Sequence, residues 1–197
     1  MTLEEKIEIA ALFDVMGVDI IEAGFPIASS GDFEAVAEIA KRLQKATVAG
    51  LARAGLKDID RAAEAVRHAR RPRIHTFLST SPVHMKYKLQ KEPHEVLEMV
   101  IAQVSRARGH TDDVEWSAED ATRTEFDFLC RCVEAAIKAG ATTINIPDTV
   151  GYTVPEEYFK LIAKLREAVP NSDQARFSVH CHNDLGMAVA NSLAGVN

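Results

Sequence analysis

The chain has 197 residues, of which 47% are hydrophobic, 26% charged and 6% aromatic. This composition predicts one folded domain with a substantial core and excludes a disordered or fibrous chain. A total of 23 Lys and Arg against 29 Asp and Glu gives a formal net charge of −6. The basic residues form no block, so we do not expect nucleic acid as a partner.

No segment is typical of membrane insertion or secretion. No apolar run approaches the roughly 20 residues that cross a bilayer, and the acidic first six residues do not resemble a signal peptide. We therefore expect a cytoplasmic protein with no membrane partner. Cys130, Cys132 and Cys181 lack the spacing of a structural zinc site, and we expect all three to be reduced.

Strand and helix patterns alternate along the whole chain. Thr2 and Glu5 form a capping box that predicts an opening helix, and Gly17 ends it. Short apolar runs and longer helical periods then alternate, and the last residues are typical of the first turns of a further helix. Strands are predicted within 18–26 and at 47–51, 73–78, 114–117, 142–146 and 176–180, and helices at 31–44, 57–69, 93–108, 125–139 and 155–169.

This alternation predicts a parallel α/β sheet, either doubly wound or closed into a barrel. Each predicted strand ends in a polar, chemically active segment, and no glycine-rich phosphate loop is present. Both features favour a TIM (β/α)8 barrel, in which all strand ends meet on one face. Because only six strands are found, we expect an incomplete barrel with strands 2 to 7 and their helices present, and strands 1 and 8 missing. Residues 1–197 would form this single partial catalytic domain.

His180 and His182 are the sharpest local signal. Residues i and i+2 of a strand project from the same face, so both imidazoles can bind one divalent cation. The alternative is a pair of hydrogen-bonded histidines without a ligand role, but the place of the pair at the end of a barrel strand favours the metal. A catalytic metal has at least three protein ligands, and the surrounding sequence offers no obvious third.

Other polar residues at strand ends are weaker signals. Glu115, Ser117 and Glu119 alternate and can point into the same barrel mouth, although a solvated acidic loop has the same pattern. The segment 148–151 after an apolar strand could bind substrate or form a plain turn. Glu22, late in an apolar strand, needs an Arg or a cation as partner if its carboxylate is buried.

Five segments carry a resemblance to a known family: residues 21–26, 75–89, 117–123, 145–155 and 180–186. They resemble the 2-isopropylmalate synthases, and the likeness spans the whole chain. This family belongs to a wider group of metal-dependent Claisen-type TIM-barrel enzymes that includes homocitrate synthase, citramalate synthase and 3-hydroxy-3-methylglutaryl-CoA lyase. The Thr-Ser-Pro-Val-His-Met run and the Pro-Asp-Thr-Val-Gly-Tyr-Thr segment favour the isopropylmalate branch.

The resemblance implies an acyltransferase of leucine biosynthesis. Acetyl-CoA would condense with 3-methyl-2-oxobutanoate on a divalent cation (Mn²⁺, Mg²⁺ or Zn²⁺) in a homodimer. In the family an Asp of the first strand, two histidines and an Asn beyond the seventh strand hold the cation, and only His180 and His182 match here. The segments that carry the Asp and the Asn are expected to be missing, and so is the C-terminal regulatory domain.

The resemblance also implies roles for individual residues. Glu115 and His75 match catalytic positions, and Thr149 is suited to hydrogen-bond the carboxylate of the oxo acid. Glu22, Ser117 and Glu119 match substrate-binding positions. Two alternatives stay open, namely a citramalate or homocitrate synthase of the same superfamily and a non-catalytic metal-binding or oligomerisation remnant.

Overall fold

A computed structural model describes all residues from 1 to 197. Helices and strands alternate as the sequence patterns predict. The helices are α1 (Leu3–Met16), α2 (Ser30–Arg42), α3 (Leu56–Val66), α4 (Pro82–His84), α5 (Pro93–Arg108), α6 (Phe126–Ala139), α7 (Pro155–Ala168) and α8 (Ala188–Val196). The strands are β1 (Ile20–Gly24), β2 (Thr47–Arg53), β3 (Pro72–Ser79), β4 (Val114–Glu119), β5 (Thr143–Asp148) and β6 (Arg176–Cys181).

The six strands form one sheet in sequence order, β1-β2-β3-β4-β5-β6. The β1–β2 and β5–β6 pairs are parallel, with Ile20 opposite Thr47 and Thr143 opposite Arg176. A doubly wound sheet reverses its strand order at a switch point, and this sheet does not. The predicted α/β class is therefore confirmed, and the order is that of consecutive units of a TIM barrel. The numbering of these strands within a complete barrel stays a prediction.

The first helix begins as its capping box predicts. The Thr2 hydroxyl accepts the Glu5 N–H at 3.2 Å, and the Glu5 carboxylate accepts the Thr2 N–H at 2.8 Å. Gly17, with a φ of 86°, ends the helix in the left-handed conformation. The apolar side chains of Leu12 and Met16 nevertheless remain exposed. Helical spacing therefore predicted the helix but not which of its faces is buried.

Helix α1 is tied to the loop before β2 through Asp14. Its buried carboxylate accepts the backbone N–H groups of Gln44, Lys45 and Ala46 at 3.2, 3.0 and 2.6 Å. These hydrogen bonds, with the one from Ala46 first, hold the pKa of the Asp14 carboxyl below its ordinary value. Asp14 therefore acts as a cap for a loop that lies far from it in the sequence.

We expect Asp14→Ala to lower the urea midpoint of unfolding at neutral pH, because three backbone donors lose their acceptor. A carboxyl with a lowered folded-state pKa stabilises the fold above its unfolded-state pKa, and that contribution is lost as the pH falls through the folded-state value. The difference between Asp14→Ala and the wild type should therefore shrink in acid. Urea titrations at about pH 7 and about pH 3 measure it. The exposed Glu8→Ala on the same helix is the control, and a difference equal at both pH values would contradict the prediction.

The chain divides into two compact units. The first comprises Met1–Thr76 and Ser105–Glu115, and the second Phe77–Val104 and Trp116–Asn197. In the first unit α2 and α3 pack on β1 and β2, and the core includes Val36, Ile39, Val48, Ile59, Val66 and Ile74. In the second unit α7 and α8 pack on one another and on β6, and the core includes Trp116, Leu129, Ile144, Ile146, Tyr158 and Leu165.

The helical segment 82–89 was not predicted. After the short helix α4, residues Met85–Leu89 form a π-helical turn that ends at Gln90 in the left-handed conformation, with a φ of 52°. Apolar periodicity predicts helices of 3.6 residues per turn and so gives no signal for a single wide turn. Such turns are frequent at functional sites.

The cysteine prediction is confirmed, since all three cysteines are free. Burial raises the pKa of the Cys132 thiol to about 12. A thiol that stays protonated is a poor nucleophile, so Cys132 serves as a small core residue. No helix in this chain combines the length and the apolar character that a membrane crossing requires.

Candidate functional site

The histidine pair lies where β6 ends. The rings of His180 and His182 stack, with centroids 5.1 Å apart and planes inclined by 17°. Both residues are exposed, and the His182 N–H donates to the carbonyl of Asp148, the last residue of β5, at 3.3 Å. The stacked rings lie on the same side of the strand, as the spacing predicts. Their role as metal ligands stays a prediction.

The two imidazoles fit only part of a metal site. They offer two nitrogen ligands, whereas catalytic metals usually have three protein ligands. The chain contains no group of three or more His, Cys, Asp and Glu side chains that could hold a metal ion. A complete site therefore requires ligands in addition to His180 and His182.

The loops after β5 and β6 pack directly on each other. Gly151 has a φ of 61°, and a Cβ atom there would lie 2.4 Å from a carboxylate oxygen of Asp184 and 2.9 Å from its backbone nitrogen. Only glycine allows this approach. The fully buried Asp148 holds the same region by accepting the Thr122 hydroxyl and the Thr153 N–H, both at 3.2 Å. The segment around Thr149 and the loop that follows β6, which includes His182 and Asp184, are thus held against each other.

Thr149 is positioned by the turn after β4. Its hydroxyl oxygen accepts the N–H of Asp120 at 2.9 Å, which leaves the hydroxyl proton able to donate to a ligand. Asp120 has a φ of 67°, and its buried carboxylate accepts two hydrogen bonds from Arg123, each of 2.8 Å. A bidentate pair of this kind fixes the turn and therefore the hydroxyl of Thr149.

Glu119, at the end of β4, has a cationic partner that the sequence did not reveal. Lys88 Nζ donates to both carboxylate oxygens at 2.7 Å, and the Ser79 hydroxyl donates to one of them at 2.7 Å. Lys88 belongs to the π-helical turn and also donates to Ser79 at 3.0 Å. Glu119 is therefore held in one orientation. The only sequence signal for Lys88 was its place in the family-like segment 75–89.

Ser117 lies on β4 and is held by a residue of β5. It is buried, and its hydroxyl accepts the side-chain N–H of the buried Asn145 at 2.8 Å. This contact joins β4 to β5 below their carboxyl ends. The role of Ser117 in substrate binding stays a prediction.

A cavity of about 360 Å³ lies next to the Thr149 segment. The exposed ring of Tyr152 forms part of it, together with residues of the turn after β4. The lining residues are Thr122, Arg123, Val150, Tyr152, Thr153 and Glu157.

The first unit contains a separate cluster that joins β1, β3 and β4. His75 Nδ1 is hydrogen-bonded to the carboxylate of Glu22, and its Nε2 lies 3.8 Å from Glu115 Oε1. Arg73 Nη1 donates to Glu115 Oε2 at 2.9 Å, and Nη2 lies 3.0 Å from Asp113 Oδ1. The structure thus brings together three predicted residues, Glu22, His75 and Glu115, and adds a buried arginine.

The surroundings of His75 favour its charged form. Burial of the imidazole opposes protonation, but the hydrogen bond to Glu22 and the negative charges of Glu115 and Glu22 outweigh burial, so the pKa of His75 is raised. Arg73 was not predicted as a site residue. Its position two residues before His75 on the same strand was the available signal, because such residues share a face.

Comparison with known proteins gives the family. The profile of the HMGL-like family matches residues 1–197. The chain therefore belongs to the HMGL-like family.

Relatives within this family are named 2-isopropylmalate synthase. The protein of that name from Bradyrhizobium sp. (strain BTAi1 / ATCC BAA-1182) is 78% identical over 196 residues, which cover 100% of this chain and 38% of the relative. The one from Rhodopseudomonas palustris (strain TIE-1) is 75% identical over 196 residues and is covered to 37%. The chain thus spans well under half the length of these relatives.

Solved structures share the fold at lower identity. Hydroxymethylglutaryl-CoA lyase from Pseudomonas aeruginosa superposes with a TM-score of 0.80 at 22% identity, covering 100% of this chain and 66% of the lyase. An HMG-CoA lyase from Acinetobacter baumannii, solved with coenzyme A and 3-methylmalate, gives 0.74 at 20% identity, covering 98% and 64%. These likenesses confirm the fold of the chain.

Proposed function

We propose that these residues form part of the catalytic barrel of a 2-isopropylmalate synthase. The observation that carries the proposal is the 78% identity to the Bradyrhizobium relative along the whole chain. The reaction is the condensation of acetyl-CoA with 3-methyl-2-oxobutanoate, with water, to 2-isopropylmalate and CoA. The six strands then correspond to strands 2 to 7 of an eight-stranded barrel, in keeping with their sequential order.

His180 and His182 would hold a divalent cation, Mn²⁺, Mg²⁺ or Zn²⁺. Imidazole nitrogen suits Zn²⁺, whereas Mg²⁺ prefers oxygen ligands. Such a cation, when bound, polarises the ketone of a 2-oxo acid. The further ligands would come from residues outside the segment that matches in the longer relatives, since this chain has no third ligand near the pair. The stacked geometry of the two rings supports their joint role.

Thr149 would bind the carboxylate of the oxo acid. Its hydroxyl oxygen is occupied as an acceptor by the Asp120 N–H, so the proton is directed to a second partner. Gly151 and Asp184 keep this residue beside the loop that follows β6. The neighbouring cavity offers space for part of the acetyl-CoA, which must meet the oxo acid for the carbon–carbon bond to form.

The carboxylates and hydroxyls of the second unit would shape the substrate pocket. Glu119, fixed by Lys88 and Ser79, is an oriented acceptor at the end of β4. Ser117, held by the side chain of Asn145, would contribute a further hydroxyl to this pocket. For His75 and Glu22 of the first unit, we keep the catalytic and substrate-binding roles that the family resemblance implies.

The test uses a chimera in which these 197 residues replace the matching segment of the Bradyrhizobium relative. We expect the chimera to release CoA thiol from acetyl-CoA with 3-methyl-2-oxobutanoate, and to prefer this acid over pyruvate and 2-oxoglutarate. Pyruvate lacks two methyl groups of 3-methyl-2-oxobutanoate, and a pocket that loses contact with them discriminates by at least about tenfold in kcat/KM. The second carboxylate of 2-oxoglutarate would be costly to bury in an apolar pocket.

The parent relative is the positive control in the same assay. Preference for pyruvate would assign the chain to citramalate synthesis, and preference for 2-oxoglutarate to homocitrate synthesis. A folded chimera that is inactive with all three acids would support the non-catalytic alternative and overturn the proposal.

A further inference from the structure

Four side chains of the first unit form a continuous array across three strands. Arg73 contacts Glu115, Glu115 lies next to the Nε2 side of His75, and His75 Nδ1 is bonded to Glu22. Asp113 forms an ion pair with Arg73, with Oδ1 3.0 Å from Nη2 of the guanidinium. The charges alternate along the array, so each member stabilises the charged form of the next.

The two ends of the array differ in their exposure to solvent. The side chain of Arg73 is 4% exposed and that of Glu115 is 14% exposed, whereas that of Glu22 is 43% exposed. The Oε2 atom of Glu115 accepts a hydrogen bond from Arg73. A substrate that approaches from solvent therefore reaches Glu22 before any other member. Glu115 and His75 are similarly enclosed, at 14% and 11% exposed, and the carboxylate of Glu115 is engaged by Arg73 and by the His75 ring.

We propose that Arg73 and Glu115 are positioning residues that set the orientation and charge of His75 and, through it, of Glu22, the member of the array that meets the substrate. This inference rests on the proposed function only in taking the His75–Glu22 pair as part of the active site. The array itself depends on contacts within the first unit. It can therefore be tested without turnover.

The charges around His75 give opposite expectations for two variants. Glu22 faces the imidazole from β1, Glu115 from β4 and Arg73 from its own strand, with Asp113 paired to Arg73. Glu115→Gln removes a negative charge and should lower the pKa of His75. The positive charge of Arg73 lowers the pKa of His75. Arg73→Met removes this charge and should therefore raise the pKa of His75.

The experiment is an NMR titration of imidazole ¹⁵N signals in the 197-residue chain, with the His75 signal assigned by its loss in His75→Gln. We expect a downward shift of about one pH unit in Glu115→Gln, since a unit charge within 4 to 6 Å has an effect of this size, and an upward shift in Arg73→Met. Arg73→Lys keeps the charge and should restore a value near that of the wild type. His94→Ala, on the exposed side of α5, is the matched control and should change nothing.

The outcome is decisive in either direction. Shifts of the same sign in both variants, towards the ordinary histidine value, would mean that the substitutions merely loosen the core, and an unchanged His75 in Glu115→Gln would exclude electrostatic coupling. Either result overturns the proposal. Glu115→Gln keeps the size of the side chain and should fold, so it decides the proposal if Arg73→Met does not fold. Glu22→Gln changes an exposed residue and should also lower the pKa of His75, which checks that the titration reports neighbouring charges.

Activity separates this inference from the proposed function. In the chimera the pH profile of kcat/KM should move in the same direction as the NMR titration for each variant. NMR shifts without any change in the profile would overturn the link from the array to catalysis. Inactivity of the unsubstituted chimera would refute the proposed function while the NMR result still decided the array.

Discussion

His180→Ala and His182→Ala are each expected to abolish turnover of the chimera and to lower its affinity for Mn²⁺ or Zn²⁺ at least about a hundredfold. Loss of a residue that only supports a metal ligand commonly costs 10- to 100-fold in affinity, so loss of a ligand itself should cost at least as much. The rings stack with centroids 5.1 Å apart, so both imidazoles lie on the same side of the strand, as two ligands of one cation would. Isothermal titration calorimetry and CoA thiol release measure the two effects.

The control for this prediction is His94→Ala, which removes an exposed histidine of the same unit far from β6 in the sequence. It should bind metal and turn over as the unsubstituted chimera does. Retention of wild-type metal affinity in both His180→Ala and His182→Ala would show that the pair is a hydrogen-bonded surface feature without a ligand role.

The second large effect concerns the 197-residue chain by itself. We expect its turnover to be at least about 10³-fold below that of the chimera, a barrier difference of about 4 kcal/mol. Two imidazoles leave a cation with fewer protein ligands than catalysis requires, and the chain has no group of three ligands to replace them. The comparison uses CoA thiol release at saturating Mn²⁺ or Mg²⁺.

Cooperative thermal unfolding of the isolated chain, followed by circular dichroism, shows that it is folded during the assay. Turnover of a folded chain within about tenfold of the chimera, a difference under about 1.4 kcal/mol, would contradict the prediction. It would mean that the residues of this chain hold the cation without further ligands.

Features that depend on sequence neighbours were determined by the sequence alone. The order of helices and strands, the Thr2–Glu5 capping box and the shared face of His180 and His182 are all confirmed, because each involves residues two to four positions apart. Local spacing fixes such geometry through the periods of the helix and the strand. The polar strand ends likewise marked Glu22, His75 and Glu119 as site candidates.

Pairing between distant residues was decided by the tertiary structure. Glu22 and His75 are 53 residues apart in the sequence, and Arg73 and Glu115 are 42 apart. The local sequence around each residue therefore gave no signal for its partner. The same holds for Lys88 beside Glu119 and for Asn145 beside Ser117. A strand pattern shows which face a side chain occupies, but only the strand order shows which residue lies opposite.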